Sequence, residues 1–188
     1  YSAEVGVLSA AGGDALVVIG YLDQGGNQII QGSLDSGAFD TFVLSDGMIG
    51  DSLTDTFGSD IDGSFGSMPG SLSDGAQKFK AYAEANGVNP SVYVGESYDA
   101  AALIVLAMAL GGSDDSATVA SNIMSVANGP GTKIYAGELA KGLELASAGT
   151  PIDYDGATDV NFTDVGEAFG AFIEKGINGG LFTDVAQR

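Results

Sequence analysis

Apolar positions in the first quarter of the chain alternate between short continuous runs and a helically spaced stripe. The run at 14–20 is rich in β-branched residues and predicts a strand buried on both faces of a parallel sheet. Residues 25–34 carry apolar side chains at helical spacing and predict a helix, and the run at 39–44 predicts a second strand. Strand, helix and strand together predict a right-handed βαβ unit.

The same reading continues along the rest of the chain and predicts the α/β class. Further helices are predicted at 53–57, 74–86, 96–110, 114–126 and 138–146. Further strands are predicted at 63–68, near 152 and 154, near 160 and 162, and at 168–173. The longest continuous apolar run, from Ala100 to Leu110, is too short to span a bilayer and predicts a buried helix.

Charge and composition exclude several functional classes. The 188 residues include 25 Asp and Glu against 6 Lys and Arg, a net charge of −19, which argues against nucleic-acid or anionic-membrane partners. The chain has no His, Cys or Trp, which excludes Ser-His-Asp and Cys-His relays and the usual tetrahedral zinc sites. With 45% hydrophobic residues the chain should fold. Its negative net charge predicts neutral or cationic partners.

Several short motifs match catalytic or binding patterns only in part. Residues 50–53 carry the letters of a lipase and esterase nucleophile motif without any His to serve it, and 34–37 resemble an aspartic-protease triplet at a helix end. The Asp-x-Asp-Gly stretches at 60–63 and 153–156 fail the calcium-loop pattern further on, and 129–133 lack phosphate-loop spacing, which predicts a plain loop there. We therefore predict no catalytic residue, no metal site and no cofactor.

The turn at 45–47 has a better claim to function. In open α/β sheets ligands bind outside the carboxyl ends of the strands, and both Asp46 and Tyr21 follow predicted strands at such ends. A carboxylate and an aromatic ring facing one crevice suit a ligand that carries an ammonium group. The alternative is an Asp-Gly turn that merely caps a helix, and spacing alone favours that alternative.

Taken in order, motifs along the whole chain resemble one protein family. The first four are Val17-Val-Ile-Gly-Tyr21, Phe42-Val-Leu-Ser-Asp-Gly47, Gly63-Ser-Phe-Gly-Ser-Met-Pro69 and Tyr93-Val-Gly-Glu-Ser-Tyr-Asp-Ala-Ala101. The last four are Tyr154-Asp-Gly156, Val160-Asn-Phe162, Gly170-Ala-Phe-Ile173 and Gly180-Leu-Phe182. Their order and spacing resemble the periplasmic substrate-binding proteins of branched-chain amino acid ABC transporters. The resemblance implies the type I periplasmic binding-protein fold, with two Rossmann-like lobes whose parallel sheets are flanked by helices.

The resemblance also implies a division of the chain and an incomplete protein. Residues 1–68 would belong to the second, C-terminal lobe, 69–165 to the first, N-terminal lobe, and 166–188 would return to the second. The opening strands of the first lobe have no counterpart, so the chain is expected to be a truncated or proteolysed later half. It begins without Met and without a leader of basic then apolar residues, as a mature or truncated periplasmic protein would.

The resemblance implies five candidate ligand-binding residues in this chain. The resemblance puts Asp46, with Gly47 beside it, where an acidic residue meets the α-ammonium of the ligand. It puts Tyr21 in the same crevice and Tyr93 where an aromatic of the other lobe closes on the ligand side chain. For Met48, pocket lining and structural packing are equally open. The family has a Glu in some members, so the shorter Asp leaves the preferred ligand open.

The function implied is that of a solute receptor without enzymatic activity. Two lobes would close by hinge motion on a branched-chain or other small amino acid, or an amide, and the closed form would deliver it to a membrane permease. The alternative is an amino-acid or amide sensing regulatory module of the same fold. An enzyme is the third possibility, and no nucleophile and base can be named for it.

Overall fold

We describe the protein from a computed structural model that covers residues 1–188. The helices are α1 Ser2–Ala11, α2 Gly26–Ser36, α3 Asp51–Phe57, α4 Asp74–Ala85, α5 Val94–Gly111, α6 Ser116–Ala127 and α7 Leu139–Ser147. The strands are β1 Leu16–Val18, β2 Phe42–Leu44, β3 Phe65–Pro69, β4 Thr132–Tyr135, β5 Ile152–Gly156, β6 Phe172–Asn178 and β7 Leu181–Gln187. The predicted α/β class is confirmed. Helix α1 and strand β7 were not predicted.

The chain folds into two compact units. Unit 1 consists of Tyr1–Pro69 and Phe172–Arg188, and unit 2 is Gly70–Ala171. The assignment of these segments to particular lobes of the family fold stays a prediction.

Unit 1 is built on a five-stranded sheet in the order β1-β2-β3-β6-β7. Strands β1, β2 and β3 run parallel, and β1, α2 and β2 form the predicted βαβ unit. Strands β6 and β7 are antiparallel and form a hairpin whose Gly179 and Gly180 both have positive φ. Their amides each donate to the Asp62 carboxylate at 2.9 Å. The strand predicted at 168–173 is therefore wrong in position, because pairing with β3 and the closed hairpin place it at Phe172–Asn178.

The core of unit 1 lies against one face of this sheet. Inward side chains of β1 and β2 pack against α2 and α3 in a single apolar cluster, in which Phe42, Ile30 and Leu53 are fully buried. The prediction that the first strand is buried on both faces is wrong, because Val17 and Ile19 are 61% and 84% exposed.

The opposite face of the same sheet is also apolar. Apolar side chains of neighbouring strands lie next to one another on this face, because Val17 pairs with Val43 and Val43 pairs with Phe65. Phe65 pairs with Gly176, over which the side chain of Val185 lies. We call Val17, Ile19, Val43, Phe65 and Val185 the outer face. A parallel sheet normally has both faces covered, so the exposure of this face is unusual.

Unit 2 surrounds a two-stranded parallel sheet, β4 and β5, with helices α4 to α7. Its main core joins α5, α6 and α7 to both strands through buried side chains such as Leu106, Ile134 and Tyr154. The predicted loop at 129–133 is wrong from Thr132 onward, because β5 supplies a pairing partner for β4. The strand predicted near 160 and 162 is also wrong, since residue 162 makes only an isolated bridge to Ala168.

Helix α5 is the only helix long and apolar enough to cross a membrane by length and composition. In this structure one side of it is part of the unit 2 core, with Ala102, Leu103, Leu106 and Ala107 buried. A core helix of a globular unit passes the same length and composition test, as the sequence prediction of a buried helix anticipates.

Candidate functional site

The carboxyl ends of β1 and β2 are fastened to each other just beyond the last paired residues. The Ser45 amide donates to the Val18 carbonyl at 3.1 Å, and the Gly20 amide donates to the Ser45 hydroxyl oxygen at 3.2 Å. These two bonds continue the pairing of β1 with β2 by one residue beyond Val18 and Leu44. The residues that follow each strand are therefore held at one edge of the sheet, the place where ligands bind in open α/β folds.

Asp46 opens a short 3-10 turn, Asp46–Met48, at this edge. Ser45 before it is in extended conformation, and the Gly47 amide donates to Asp46 Oδ1 at 2.8 Å. This local bond fixes the carboxylate at the start of the turn, and the side chain is only partly buried. A carboxylate can accept charge-assisted hydrogen bonds from a cationic group.

Tyr21 and Gly47 lie against each other at the same edge. A Cβ at residue 47 would overlap the Gly20 carbonyl oxygen and would lie 2.8 Å from Cδ1 of the Tyr21 ring. The ring is 58% exposed, so one of its sides rests on Gly47 while much of its surface faces solvent. Glycine at 47 is therefore required for the Gly20 carbonyl and the Tyr21 ring to approach the turn this closely.

Met48 has no exposed surface and belongs to the core cluster of unit 1. Its thioether packs where a Cβ at Gly26 would otherwise be. Of the two readings of Met48, packing describes its place in this structure, and its contact with a ligand stays a prediction.

Tyr93 belongs to unit 2, where it is the residue before α5. Its backbone is left-handed, with φ 66° and ψ −2°, and the Ser97 amide donates to its carbonyl at 2.9 Å. A bulky residue at positive φ is an outlier that persists only where the surroundings hold it, and such residues cluster at functional sites. The structure thus groups Tyr21, Asp46, Gly47 and Met48 in unit 1 and places Tyr93 in unit 2. Their roles toward a ligand remain predictions.

A buried carboxylate in unit 2 was missed by sequence reasoning. Asp99 on α5 is 2% exposed and accepts hydrogen bonds from the Tyr154 hydroxyl and from backbone and side-chain groups of Ala157 and Thr158. Burial raises the pKa of Asp99 above its usual range, against these hydrogen bonds, which lower it. Burial, with the nearby Asp99 charge, raises the pKa of Tyr154 as well. The only sequence signal is an Asp inside the most apolar helix of the chain.

Unit 2 also has an open pocket of about 430 Å³, next to the Asp99 network. It is lined by Thr158, Asp159, Asn161, Phe169, Gly170 and Ala171. Partial burial and then the neighbouring Asp155 charge raise the pKa of Asp159. No group of three or more acidic, His or Cys side chains in the structure is arranged to hold a metal ion.

Comparison with solved structures settles the architecture. A leucine binding protein, LivK, of Thermotoga maritima superposes with a TM-score of 0.73 at 19% identity, over 99% of this chain and 47% of that one. A periplasmic binding protein type 1 of Bordetella pertussis superposes with a TM-score of 0.62 at 19% identity, over 98% and 49%. The chain has the type I periplasmic binding-protein fold. The resemblance predicted from the sequence motifs is confirmed at the level of fold.

Sequence comparison reaches less of the chain. A chemotactic signal transduction system substrate-binding protein, BasB, of Halobacterium salinarum is 35% identical over 79 residues, which is 42% of this chain and 19% of that protein. No family model matches the chain. The chain spans about half the length of the solved structures it matches. These type I neighbours are binding proteins rather than enzymes.

Proposed function

We propose that this chain is part of a solute receptor that binds a branched-chain or other small amino acid, or an amide, and does not catalyse a reaction. The observation that carries the proposal is the edge of β1 and β2, where the Tyr21 ring lies against Gly47 and the Gly47 amide donates to the Asp46 carboxylate. An aromatic ring and a carboxylate at one strand edge suit an ammonium group, through cation–π contact and charge-assisted hydrogen bonds. The type I fold supports the proposal, because it is shared with a leucine binding protein.

In this proposal Asp46 accepts hydrogen bonds from the α-ammonium of the ligand, and Tyr21 covers the same group. Tyr93 contacts the ligand side chain from the other lobe as the two lobes close by hinge motion. The closed receptor then delivers the ligand to an ABC permease at the membrane, which places the protein in the periplasm. Neither step needs a cofactor or a metal ion.

We further propose that the receptor is a longer protein and that its remaining part covers the outer face. Val17, Phe65 and Ile19 expose large apolar side chains on a sheet whose opposite face packs into the core of unit 1. The intact mass of the natural protein, compared with its complete reading frame, tests this. A natural protein of 188 residues that binds amino acids by itself would contradict it.

Calorimetry with a panel of aliphatic amino acids tests the binding proposal. The receptor-length protein should bind at least one of them, and Asp46→Ala should weaken that affinity by at least tenfold because the ammonium loses its charged partner. Asp55→Ala is the matched control, since Asp55 is an exposed carboxylate on α3, away from the strand ends. The 188-residue chain alone should bind weakly or not at all, and wild-type affinity in Asp46→Ala would overturn the assigned role.

A sensing module of the same fold is the second candidate, and one observation favours it. The relative BasB is a substrate-binding protein of a chemotactic signal transduction system. Such a receptor would bind its ligand at the same edge but pass the signal to a transducer or regulator. Neighbouring permease genes would support transport, and a neighbouring transducer or regulator gene without permease genes would support sensing.

A further inference from the structure

The first two turns of α5 lie directly on the segment that ends β5. Gly95 and Asp99 are one helical turn apart and therefore share a face of the helix. A Cβ at Gly95 would lie 3.4 Å from both the Ala157 Cβ and the Thr158 Cγ2. The helix and the segment are in contact over this face, with Gly95 supplying the close approach and Asp99 supplying the polar link.

Asp99 binds four donors from that segment. Its Oδ1 accepts from the Tyr154 hydroxyl at 2.7 Å and from the Ala157 amide at 2.8 Å, and the same amide is 3.0 Å from Oδ2. Its Oδ2 also accepts from the Thr158 amide at 2.8 Å and the Thr158 hydroxyl at 2.7 Å. A buried carboxylate with both oxygens occupied in this way holds its partners in one geometry, because any displacement leaves a buried donor without an acceptor.

Gly156 makes this geometry possible. Its φ of 62° is left-handed, and a Cβ there would lie 2.7 Å from the Asp99 carboxyl carbon and 2.5 Å from Cε1 of Tyr154. Only glycine fits between the carboxylate and the ring while turning the next two amides toward Asp99. The segment is thus shaped around the carboxylate at the level of its backbone.

We propose that Asp99 is a positioning residue for Tyr93, which acts by tying the start of α5 to the segment 154–158. Tyr93 directly precedes α5 and holds a left-handed backbone, which persists only where neighbouring structure fixes the chain on either side. Six residues after Tyr93, the buried Asp99 network anchors the same helix to the core of unit 2. The functional meaning of this inference rests on the proposed contact between Tyr93 and the ligand, but the positioning itself does not.

Nuclear magnetic resonance of the 188-residue chain, labelled at its tyrosines, tests the positioning without any ligand. The Tyr93 signals are assigned by their loss in Tyr93→Phe. In Asp99→Asn the side-chain NH2 replaces one carboxylate oxygen, so a donor faces the donors of the segment 154–158 and hydrogen bonds are lost. The start of α5 should then loosen, and the Tyr93 signals should move toward the values of an unstructured chain. Amide exchange at 94–98 should rise at least tenfold, while α6 and α7 keep their protection.

Leu103→Ala is the matched control, since Leu103 is 3% exposed on the same helix, one turn beyond Asp99. It should lower the denaturation midpoint of unit 2 by a comparable amount without moving the Tyr93 signals. Thr158→Val removes the hydroxyl bond to Asp99 but keeps the backbone bonds, so the Tyr93 signals should shift in the same direction by a smaller amount. This variant tests the positioning role if Asp99→Asn does not fold. Unmoved Tyr93 signals in the folded variants, or an equal shift in Leu103→Ala, would overturn the inference. Because no ligand is used, a failed calorimetric test would leave this result standing.

Discussion

The two units of this protein are held together by different kinds of interaction. Unit 1 packs one face of a five-stranded sheet against α2 and α3, and the large buried side chains there are apolar. Unit 2 has only two strands, and beside its apolar clusters it buries the Asp99 carboxylate in a network of four donors. Apolar burial is non-directional and fixes which surfaces meet, whereas the buried network fixes how one segment is oriented.

This difference matches what each unit contributes to the candidate site. In unit 1 the residues of interest follow directly from strand ends, so a well-packed sheet is enough to place Tyr21 and Asp46. In unit 2 Tyr93 stands before a helix in a conformation that its own sequence does not favour. Its placement therefore needs a directional anchor, and the buried carboxylate supplies one.

Salt concentration should have the largest effect, because it acts on both units at once. Unit 1 carries 12 acidic and 2 basic residues, and unit 2 carries 13 and 4, so each repels itself strongly. Molar salt shortens the screening length to about 3 Å. We expect the free energy of unfolding of both units to rise with salt by more than any substitution below changes it. Hydrogen exchange of amides in both units measures this change in stability. A rise confined to one unit would contradict the expectation that charge repulsion destabilises both.

Phe42→Ala should be the most damaging single substitution in unit 1. Phe42 is fully buried in β2, and removing such a ring typically costs about 3–5 kcal/mol through lost burial and the cavity left behind. Hydrogen exchange should report the loss across the unit 1 sheet. Val43→Ala is the control in the same strand, since Val43 lies on the outer face and should cost clearly less. Equal losses would show that both faces of the sheet are covered.

Tyr154→Phe should have an intermediate effect, confined to unit 2. The substitution removes the hydroxyl that donates to Asp99 Oδ1 and keeps the buried ring, so we expect a loss of about 1.5–3 kcal/mol, typical of a hydrogen bond to a charged group. Urea unfolding measures it. Tyr82→Phe is the control, because Tyr82 is 42% exposed and packs edge-on against the Tyr98 ring. If Tyr154→Phe left the free energy of unfolding unchanged, the Asp99 network would contribute little to the stability of unit 2.

Ile19→Ser should have the smallest effect in the 188-residue chain. Ile19 extends from β1 on the outer face, and substitutions at such exposed positions usually change stability by less than about 0.5 kcal/mol. Val18→Ser, on the inner face of the same strand, should be far more damaging. If the remaining part of the longer receptor covers the outer face, Ile19→Ser should destabilise that receptor. The test therefore compares the change in free energy of unfolding caused by Ile19→Ser in the 188-residue chain and in the receptor.

Much of the fold could be predicted from local pattern. The βαβ unit and helices α4 to α7 follow from apolar periodicity and glycine stops, which are properties of neighbouring residues. Strand β4 could not be predicted, because Thr132–Tyr135 becomes a strand only by pairing with β5, about twenty residues later. The hairpin of β6 and β7 likewise depends on β3, over a hundred residues earlier.

The candidate site divides in the same way. Asp46 and Tyr21 could be named because parallel strands bring their carboxyl ends to one edge, a consequence of topology that short runs reveal. The seat of the Tyr21 ring on Gly47 could not be predicted, because it depends on how closely two turns approach. Asp99 was missed because its partners lie 55 to 59 residues away along the chain.

The sequence by itself determined the α/β class, most of the elements, the acidic surface and the resemblance that led to the type I fold, because each depends on local spacing or on composition. Only the tertiary structure decided which sheet face is packed and which is bare, since that depends on the helices that reach it. It also decided that Asp99, inside an apolar helix, is buried and accepts hydrogen bonds from four donors of a distant segment. Long-range contacts assign such roles, and no local pattern contains them.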